Sequence, residues 1–271
     1  MAQSRDEFGD RMKSYEAVST GTRFFKGQPI YARLDGKGFH KFTKGLKRPF
    51  DERLHSLMVK VTQRLVDRFG ATVGYTQSDE ISLVWFVDSS SQSEYPFDGR
   101  RQKFESLLAA FATMAFNKEL ATYLPEKANE EPIFDCRAFV VPNLLEAYHE
   151  VLWRQLDCGK NAISMAAQSM FSHKSLQGLH GPEMVEKMYT EKGVVFADLE
   201  PAFRLGTFVR RVKVVKPLDA DLILSLQSRG LKVPTEPIER TEFQHRSIEL
   251  KSLADPLSFL LKGGDAIPKA G

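Results

Sequence analysis

Two short acidic motifs, each placed at the end of a stretch with β-strand character, constrain this chain more than any other feature. Arg33-Leu34-Asp35-Gly36 follows an apolar run that begins at Ile30, and Ser78-Asp79-Glu80 interrupts an alternating apolar pattern as a hairpin turn does. Between them, residues 52–69 carry apolar side chains at helical spacing, with Asp51 as a candidate N-cap. The order strand, helix, hairpin lets Asp35 and Asp79 meet at one end of a sheet.

Carboxylates on a strand tip and an adjacent hairpin are typical of nucleotide-polymerising palm domains, which hold two Mg²⁺ ions there. Mg²⁺ takes one or two carboxylates together with substrate phosphates, and paired ions stabilise both oxygens of a phosphoryl displacement. We therefore predict Asp35, Asp79 and Glu80 as catalytic residues, with Asp35, Asp79 and the Gly36 carbonyl as metal ligands. Glu80 can join Asp79 only if the turn breaks strand alternation. The alternative is that both motifs are ordinary turns.

A basic loop follows the first motif directly. Between Gly36 and Phe50 there are five Lys or Arg residues and no acid, which favours binding of a triphosphate. A solvated cationic loop is the alternative. The loop and the hairpin turn supply the predicted nucleotide-binding residues Lys37, Gly38, Phe39, His40, Lys44, Arg48 and Ser78.

Composition indicates an intracellular enzyme that can bury a full core. The chain has 271 residues, 42% of them hydrophobic, and a net charge of only +3, so affinity for a polyanion has to come from local patches. The two cysteines lack metal-type spacing, and no stretch approaches the roughly 18 apolar residues of a membrane span. We expect a cytoplasmic protein with no membrane partner.

The pattern of elements predicts an α/β (α+β) fold: a palm-like polymerase domain with a β-α-β-β-α-β core plus additional helices. Residues 1–142 form the predicted catalytic core, and residues 143–271 form a helical extension with a further strand and a C-terminal tail, integrated with the core. Beyond the first helix, the predicted elements are a helix over 100–123, a strand over 137–141, a helix capped by Asn143, a separate helix over 160–171, a strand over 207–215, a linker over 232–237 and a loose tail from Gly263.

Three ordered blocks resemble the tRNA(His) guanylyltransferase family. They are residues 33–42 (RLDGKGFHKF), residues 75–82 (YTQSDEIS), and Trp153-Arg154-Gln155 followed by Asp157-Cys158. The resemblance covers about the first two-thirds of the chain. It implies a palm enzyme that uses ATP or GTP to activate a tRNA 5′ end and then adds nucleotides to it in the 3′→5′ direction. It also implies a homotetramer. No segment has the character of an independent anticodon-binding domain, which favours recognition of the tRNA acceptor end.

One departure from the family pattern bears on the substrate. Where eukaryotic members carry His-Ile-Asn-Asn after the Asp-Cys block, this chain has Gly159-Lys160-Asn161-Ala162, so only Asn161 matches. The chain therefore looks like the guanylyltransferase-like branch of bacteria and archaea, which implies template-dependent repair of 5′-truncated tRNA. The alternative is addition of the −1 guanosine to tRNA(His). Asn161 is a predicted nucleotide contact, or else a helix residue with a locally satisfied amide.

Further basic residues are predicted to bind phosphates. Arg100 and Lys103 share a helix face at i, i+3 and match a family pair that resembles a triphosphate clamp; the alternative is a solvated helix start. Predicted RNA contacts, with helix caps, packing or solvated strand edges as the alternatives, are Arg33, His173, Lys174, Arg204, Arg210 and Arg211.

Two rival functions stay open at this point. A palm-type nucleotidyl cyclase would use the same carboxylates, but the chain has no Gly-Gly-Asp-Glu-Phe signature. A non-enzymatic RNA-binding module would have no use for clustered acids. Nucleotidyl transfer without a protein nucleophile, driven by positioning and charge stabilisation, is the favoured mechanism.

Overall fold

The structure is a computed structural model that describes residues 6–233 and 236–268. Within the predicted linker, Pro234 and Thr235 lie outside the described residues, as does the end of the predicted tail, residues 269–271. The strands are β1 (Ile30–Gly36), β2 (Val73–Gln77), β3 (Glu80–Trp85), β4 (Phe134–Val140), β5 (Thr207–Lys216) and β6 (Ile238–Arg246). The helices are α1 (Glu7–Thr20), α2 (Phe39–Phe42), α3 (Glu52–Phe69), α4 (Arg101–Tyr123), α5 (Leu144–Met170), α6 (His173–Leu176), α7 (Gly181–Lys192), α8 (Pro201–Leu205), α9 (Ala220–Ser228) and α10 (Pro256–Leu261).

These strands form one antiparallel sheet in the order β4-β1-β3-β2-β5-β6. Helix α3 connects β1 to β2, and α4 connects β3 to β4, so the predicted β-α-β-β-α-β core is confirmed. Strands β5 and β6 then extend the sheet beyond β2. In the register of the central strands, Asp35 on β1 lies opposite Glu80 on β3 and Asp135 on β4.

Helices α3 and α4 cover one face of the sheet. The Asp51 carboxylate accepts a hydrogen bond from the Arg53 backbone N–H at 3.0 Å and caps α3, and Gly70 ends the helix in a left-handed conformation. Of the predicted apolar positions of α3, Leu57, Val61 and Leu65 are fully buried, whereas Leu54 and Phe69 are half-buried. This packing holds β1 and the β2–β3 hairpin in a fixed relation, because α3 links them.

The other face of the sheet packs against α5 and α10. Asn143 caps α5 as predicted, with its side chain accepting a hydrogen bond from the Glu146 N–H at 3.0 Å. The separate helix predicted over 160–171 is wrong, because α5 continues without a break from Leu144 to Met170. Ala162 and its neighbours are buried in an apolar cluster with side chains of α7 and α8. This burial outweighs the low helix propensity of Gly159.

Other predicted boundaries shift by a few residues. Helix α4 starts one residue later than predicted, β4 spans Phe134–Val140, and β5 extends to Lys216. Strand β6 and helix α1 escaped sequence analysis because most of their residues are polar and exposed or half-exposed. The predicted division at residue 142 falls between β4 and α5. Among the residues that the structure describes, no helix is long and apolar enough to cross a membrane.

Candidate active site

Asp35 and Asp79 lie together at one end of the central strands. The Gly36 backbone N–H donates to the Asp79 carbonyl at 3.2 Å, which ties the tip of β1 to the β2–β3 turn. Ser78 in that turn has a φ of 49°, a left-handed conformation that a non-glycine residue rarely adopts. This tight turn carries the half-buried Asp79 to the strand tip that bears the half-buried Asp35.

The two carboxylates repel each other in this partly desolvated position. Burial raises the pKa of Asp79, and the nearby charge of Asp35 raises it further. The Ser78 hydroxyl donates to Asp79 Oδ1 at 3.1 Å and partly offsets the effect. Across residues 6–233 and 236–268, no Lys, Arg or His lies within 4.0 Å of either carboxylate. The pair therefore has anionic character that a cation would relieve.

This donor set fits Mg²⁺. The ion prefers oxygen ligands and is commonly held by one or two carboxylates with substrate phosphates and water completing the shell. The described part of the chain brings no group of three or more His, Cys, Asp or Glu into metal-binding range. The chain therefore offers two carboxylates rather than a complete protein cage.

Glu80 occupies a different environment from Asp79. Its Oε1 accepts a hydrogen bond from Arg154 Nε at 2.6 Å, and its Oε2 lies 4.0 Å from Arg33 Nε. Both Glu80 and Arg154 are buried, and Arg154 also donates to Asp157 at 2.8 Å. The catalytic role predicted for Glu80 stays a prediction, but the structure pairs its carboxylate with arginine rather than with Asp79.

A cavity of about 510 Å³ opens beside the carboxylate pair. Its walls come from the basic loop, the start of α3, the β2–β3 turn, α5 and α8. This volume falls within the range typical of small-molecule sites. The predicted site residues that line it are Gly36, Gly38, Phe39, His40, Arg48, Ser78, Asp79 and Asn161.

Within the basic loop, the predicted residues other than Gly38 divide into three groups. His40 and Arg48 are exposed and line the cavity. Phe39 is 3% exposed and packs against Phe116 and Phe134, so it forms part of the core beneath the loop. Lys37 and Lys44 are exposed but do not line the cavity, and their nucleotide contacts stay predictions.

Arg100 and Lys103 lie at the start of α4, next to the beginning of β1. Phe104 in this first turn packs against Trp85, with ring centroids 5.2 Å apart. Trp85 pairs with Ile30, the first residue of β1. The basic pair therefore sits at the edge of the sheet where β1 starts.

The carboxylate pair lies at the opposite edge. Phe116, in the second half of α4, packs against Phe134, which pairs with Gly36. The five-residue step from Ile30 to Asp35 corresponds to roughly 17 Å of strand. Within one chain the basic pair therefore lies near the other end of β1, away from the carboxylates. Its predicted clamp on a triphosphate stays a prediction, because helical spacing defined the face of α4 but not the end near the site.

The predicted RNA-binding residues also divide. Arg210 is 2% exposed and donates to the Phe259 carbonyl at 2.7 Å and to Gln244, so its predicted RNA contact is wrong. Its guanidinium fastens the C-terminal segment to the sheet. Arg204 is half-buried and donates to the Leu199 carbonyl at 2.8 Å.

The other predicted RNA-binding residues lie on three different elements and are exposed or half-buried. His173 and Lys174 are exposed in the first turn of α6, and Arg211 is exposed on β5. Arg33 is half-buried beside Glu80 and lies under the Trp153 ring, 5.7 Å from its centroid. These four contacts, like that of Arg204, stay predictions.

Several cavity residues escaped sequence analysis as site residues. Gln168 lines the cavity from α5, seven residues after Asn161, and this two-turn spacing is the signal that would have identified it. Asp51 lines it as well, and hydrogen bonds from Arg53 lower the pKa of its carboxyl to about 2. His55 lies on the wall with Nε2 2.9 Å from Thr207 Oγ1, and burial lowers the pKa of its imidazole to about 4.

Comparisons with known proteins agree with this geometry. The family model described as tRNAHis guanylyltransferase matches residues 9–142. A bacterial tRNA(His) guanylyltransferase (Thg1)-like protein in complex with ATP has a similar structure, with a TM-score of 0.71, 35% identity, and coverage of 76% of this chain and 87% of that one. Another, in complex with GTP, has a TM-score of 0.70 at 25% identity, covering 95% and 98%. The Saccharomyces cerevisiae tRNA(His) guanylyltransferase is 29% identical, over 67% of this chain and 82% of its own length.

Proposed function

This chain belongs to the tRNA(His) guanylyltransferase family, and from that premise we propose that it adds nucleotides to the 5′ end of a tRNA in the 3′→5′ direction. The observation that carries the proposal is the Asp35–Asp79 carboxylate pair beside a cavity of about 510 Å³. The pair stands at the strand tip and hairpin of a β-α-β-β-α-β core, where a palm enzyme performs nucleotidyl transfer. The structural neighbours bound to ATP and GTP support a nucleoside triphosphate as the occupant of the cavity.

The proposed reaction has two stages. A nucleoside triphosphate first activates the 5′-monophosphate of the RNA, with loss of pyrophosphate. The 3′-hydroxyl of an incoming nucleotide then attacks the α-phosphorus at that 5′ end and displaces the activating group. A triphosphorylated 5′ end enters at the second stage.

Residues of the chain bind and orient the reactants in this proposal. Arg48 and His40, exposed on the cavity wall, are placed to pair with phosphate oxygens. Asn161 and Gln168 offer amide donors and acceptors from α5 on the same wall. Such positioning accounts for much of the catalysis in phosphoryl transfer, where little covalent chemistry is asked of the protein.

Asp35 and Asp79, with the Gly36 carbonyl, are the proposed holders of two Mg²⁺ ions. When bound, the ions supply charge neutralisation at the transferring phosphate and favour the deprotonated form of the attacking hydroxyl. The two carboxylates supply the negative charge that attracts the ions to this end of the sheet. Removal of the divalent ions with EDTA is expected to abolish addition.

Template-dependent repair is the finer part of the proposal. Its support is the sequence after Cys158, which keeps only Asn161 of the eukaryotic block, and the structural likeness to bacterial guanylyltransferase-like proteins. A second candidate is untemplated addition of the −1 guanosine to tRNA(His), favoured by the name of the yeast relative. A cyclase is not favoured, because the matched family acts on tRNA.

The test supplies a tRNA that lacks its 5′-terminal nucleotide, in four versions that differ in the base opposite the gap. Incorporation that follows Watson–Crick pairing supports repair. Addition of guanosine opposite every base instead supports the second candidate. Turnover of nucleotides without RNA, yielding a cyclic product, would contradict both.

Assembly and location complete the proposal. We expect a homotetramer that acts in the cytoplasm on the tRNA acceptor end. Support for assembly comes from exposed apolar side chains on α1 and α4, among them Phe8 and Met114. Light scattering on the purified protein measures the assembly directly, and a monomer would contradict it.

A further inference from the structure

Trp153 is an exposed aromatic side chain beside the proposed catalytic centre, and the reaction described above does not use it. It lies on α5, and 53% of its surface is exposed. The other tryptophan of the chain, Trp85, is buried and donates its indole N–H to the Phe69 carbonyl at 2.9 Å. An exposed aromatic ring offers a face on which the ring of a ligand can stack.

Two guanidinium groups lie against the Trp153 ring. The Cζ of Arg154 is 4.7 Å from the ring centroid, and the Cζ of Arg33 is 5.7 Å from it. The side chains of these arginines are only 10% and 20% exposed, respectively. The ring therefore covers the arginines on its protein side and presents surface to solvent.

The arginines under the ring are held in place by acids. Arg154 bonds both Glu80 and Asp157, and Arg33 lies 4.0 Å from Glu80. Opposite charges nearly balance in this cluster, which leaves little net attraction for a phosphate. A rigid, charge-balanced support beneath an exposed indole suits flat stacking better than charge recognition.

Trp153, with Arg33 and Arg154 beneath its ring, forms a stacking platform. The position of this platform relates it to the reacting end of an RNA. Arg33 is two residues before Asp35 on the same face of β1, a separation of roughly 7 Å along the strand. Trp153 does not line the cavity of about 510 Å³, which is already large enough for a nucleoside triphosphate. The platform and the cavity are thus separate surfaces near the same carboxylates.

We propose that Trp153 stacks on a base at the 5′ end of the RNA substrate and so positions that end beside Asp35 and Asp79. The proposal rests on the proposed function, because it assigns a binding surface for the RNA of that reaction. Nucleobases stack on aromatic side chains whatever their sequence, which suits an enzyme that meets different bases at a truncated 5′ end. Trp153 acts as a positioning residue, with Arg33 and Arg154 as its support.

The test uses the fluorescence of Trp153 during titration with a 5′-phosphorylated acceptor-stem minihelix. Stacking of the terminal base is expected to quench the exposed indole. A minihelix with an abasic 5′-terminal nucleotide is expected to bind more weakly and, at saturation, without that quenching. Trp153→Phe keeps a stacking ring but removes the emission, so it measures the contribution of buried Trp85. Nucleoside triphosphates alone are expected to leave the emission unchanged.

Binding and kinetics provide the second readout. Trp153→Ala is expected to raise the Kd for the minihelix by about 5-fold to 150-fold, the range for loss of one base–aromatic stack. Trp153→Phe is expected to restore affinity, and the KM for the nucleoside triphosphate is expected to stay unchanged in both. Leu145→Ala, at another exposed apolar position of α5, is the matched control and should bind as wild type does.

The outcomes separate this inference from the proposed function. If the wild type extends RNA but saturating minihelix leaves the indole emission unchanged, the stacking inference fails and the proposed function stands. Quenching by nucleoside triphosphates rather than by RNA would also overturn it, by assigning the platform to the other substrate. If the wild type extends no RNA 5′ end, the proposed function itself fails.

Discussion

At the residue scale, the chemistry of this site depends on how two neighbouring carboxylates differ in their partners. Asp79 faces Asp35 with no cation within 4.0 Å in the described part of the chain, whereas Glu80 accepts a 2.6 Å hydrogen bond from Arg154. Adjacent positions in the chain thus serve separate purposes. Asp79 is the carboxylate that we propose for binding a divalent cation, whereas Glu80 pairs with Arg154 on α5.

Replacement of Asp79 by Asn is expected to reduce addition by at least about a hundredfold and to stabilise the ligand-free protein. Its raised pKa means that the charged form is disfavoured in the fold, so the cost is present above that pKa and disappears as the pH falls through it. Neutralising it at pH 7 should therefore raise the Tm of the ligand-free protein. Bound Mg²⁺ is expected to raise the Tm of the wild type. Differential scanning calorimetry with and without Mg²⁺ should show that Asp79→Asn loses this rise.

Two control variants sharpen that measurement. Asp67→Asn, on the exposed side of α3, should leave activity and the Mg²⁺ effect unchanged. Glu80→Gln should keep the Mg²⁺-dependent rise in Tm. If Glu80→Gln abolishes that rise while Asp79→Asn retains it, the assignment of the metal ligands is contradicted.

Replacement of Arg154 by Met is expected to destabilise the protein by about 3–5 kcal/mol, because it leaves the buried Glu80 carboxylate without its main partner. The double variant Arg154→Met/Glu80→Gln should recover much of the loss, since the unpaired charge is gone. Urea unfolding of the two single variants and the double variant measures the coupling. Equal losses from all three would argue against a charge-paired role for Glu80.

At the element scale, sequence analysis identified the core order but missed features that depend on long-range packing. Strands and helices of the first 142 residues have clear periodicity, and their order predicts that Asp35 and the hairpin meet at one end of the sheet. The continuity of α5 could not be predicted, because Gly159 is a weak helix former and only burial of the following alanines sustains the helix. Nor does spacing along α4 reveal which end of that helix approaches the site.

Gly159→Ala tests the continuity of α5. A Cβ at this position would meet the Arg204 carbonyl at 3.8 Å, an ordinary contact, so the added methyl fits. In a continuous helix the change should stabilise the protein by about 0.5–1 kcal/mol. Chemical denaturation measures it, and a clear loss of stability would favour a break between two helices, as the sequence pattern had indicated.

His55 makes the connection between α3 and β5 sensitive to acid. Its pKa is lowered to about 4 by burial, against 6.5 for the exposed group, so the folded state resists protonation. Stability is therefore expected to fall as the pH drops from 6.5 to 4, by up to about 3 kcal/mol, and to be unaffected by this group above that window. In His55→Gln this part of the pH dependence should vanish, while His149→Gln, at an exposed position of α5, should retain it.

At the scale of the whole molecule, the sheet joins the catalytic core to the segment that follows it. Strand β5 pairs with β2, and Arg210 ties β5 to the Phe259 carbonyl beyond it. The cavity takes its walls from both parts, with Ser78 and Asp79 from the core and Asn161 and Phe203 from α5 and α8. The site thus depends on the second half of the chain, which sequence analysis described least completely.

The most direct test of the central claim is single-turnover extension of a tRNA that lacks one 5′ nucleotide and carries a 5′-triphosphate. This substrate bypasses activation, so the rate reports nucleotidyl transfer at the carboxylate pair alone. We predict that the wild type adds the nucleotide complementary to the base opposite the gap, that Asp35→Asn and Asp79→Asn lose this addition, and that Asp67→Asn retains it. Undiminished addition by either site variant, or no addition by the wild type, would contradict the account.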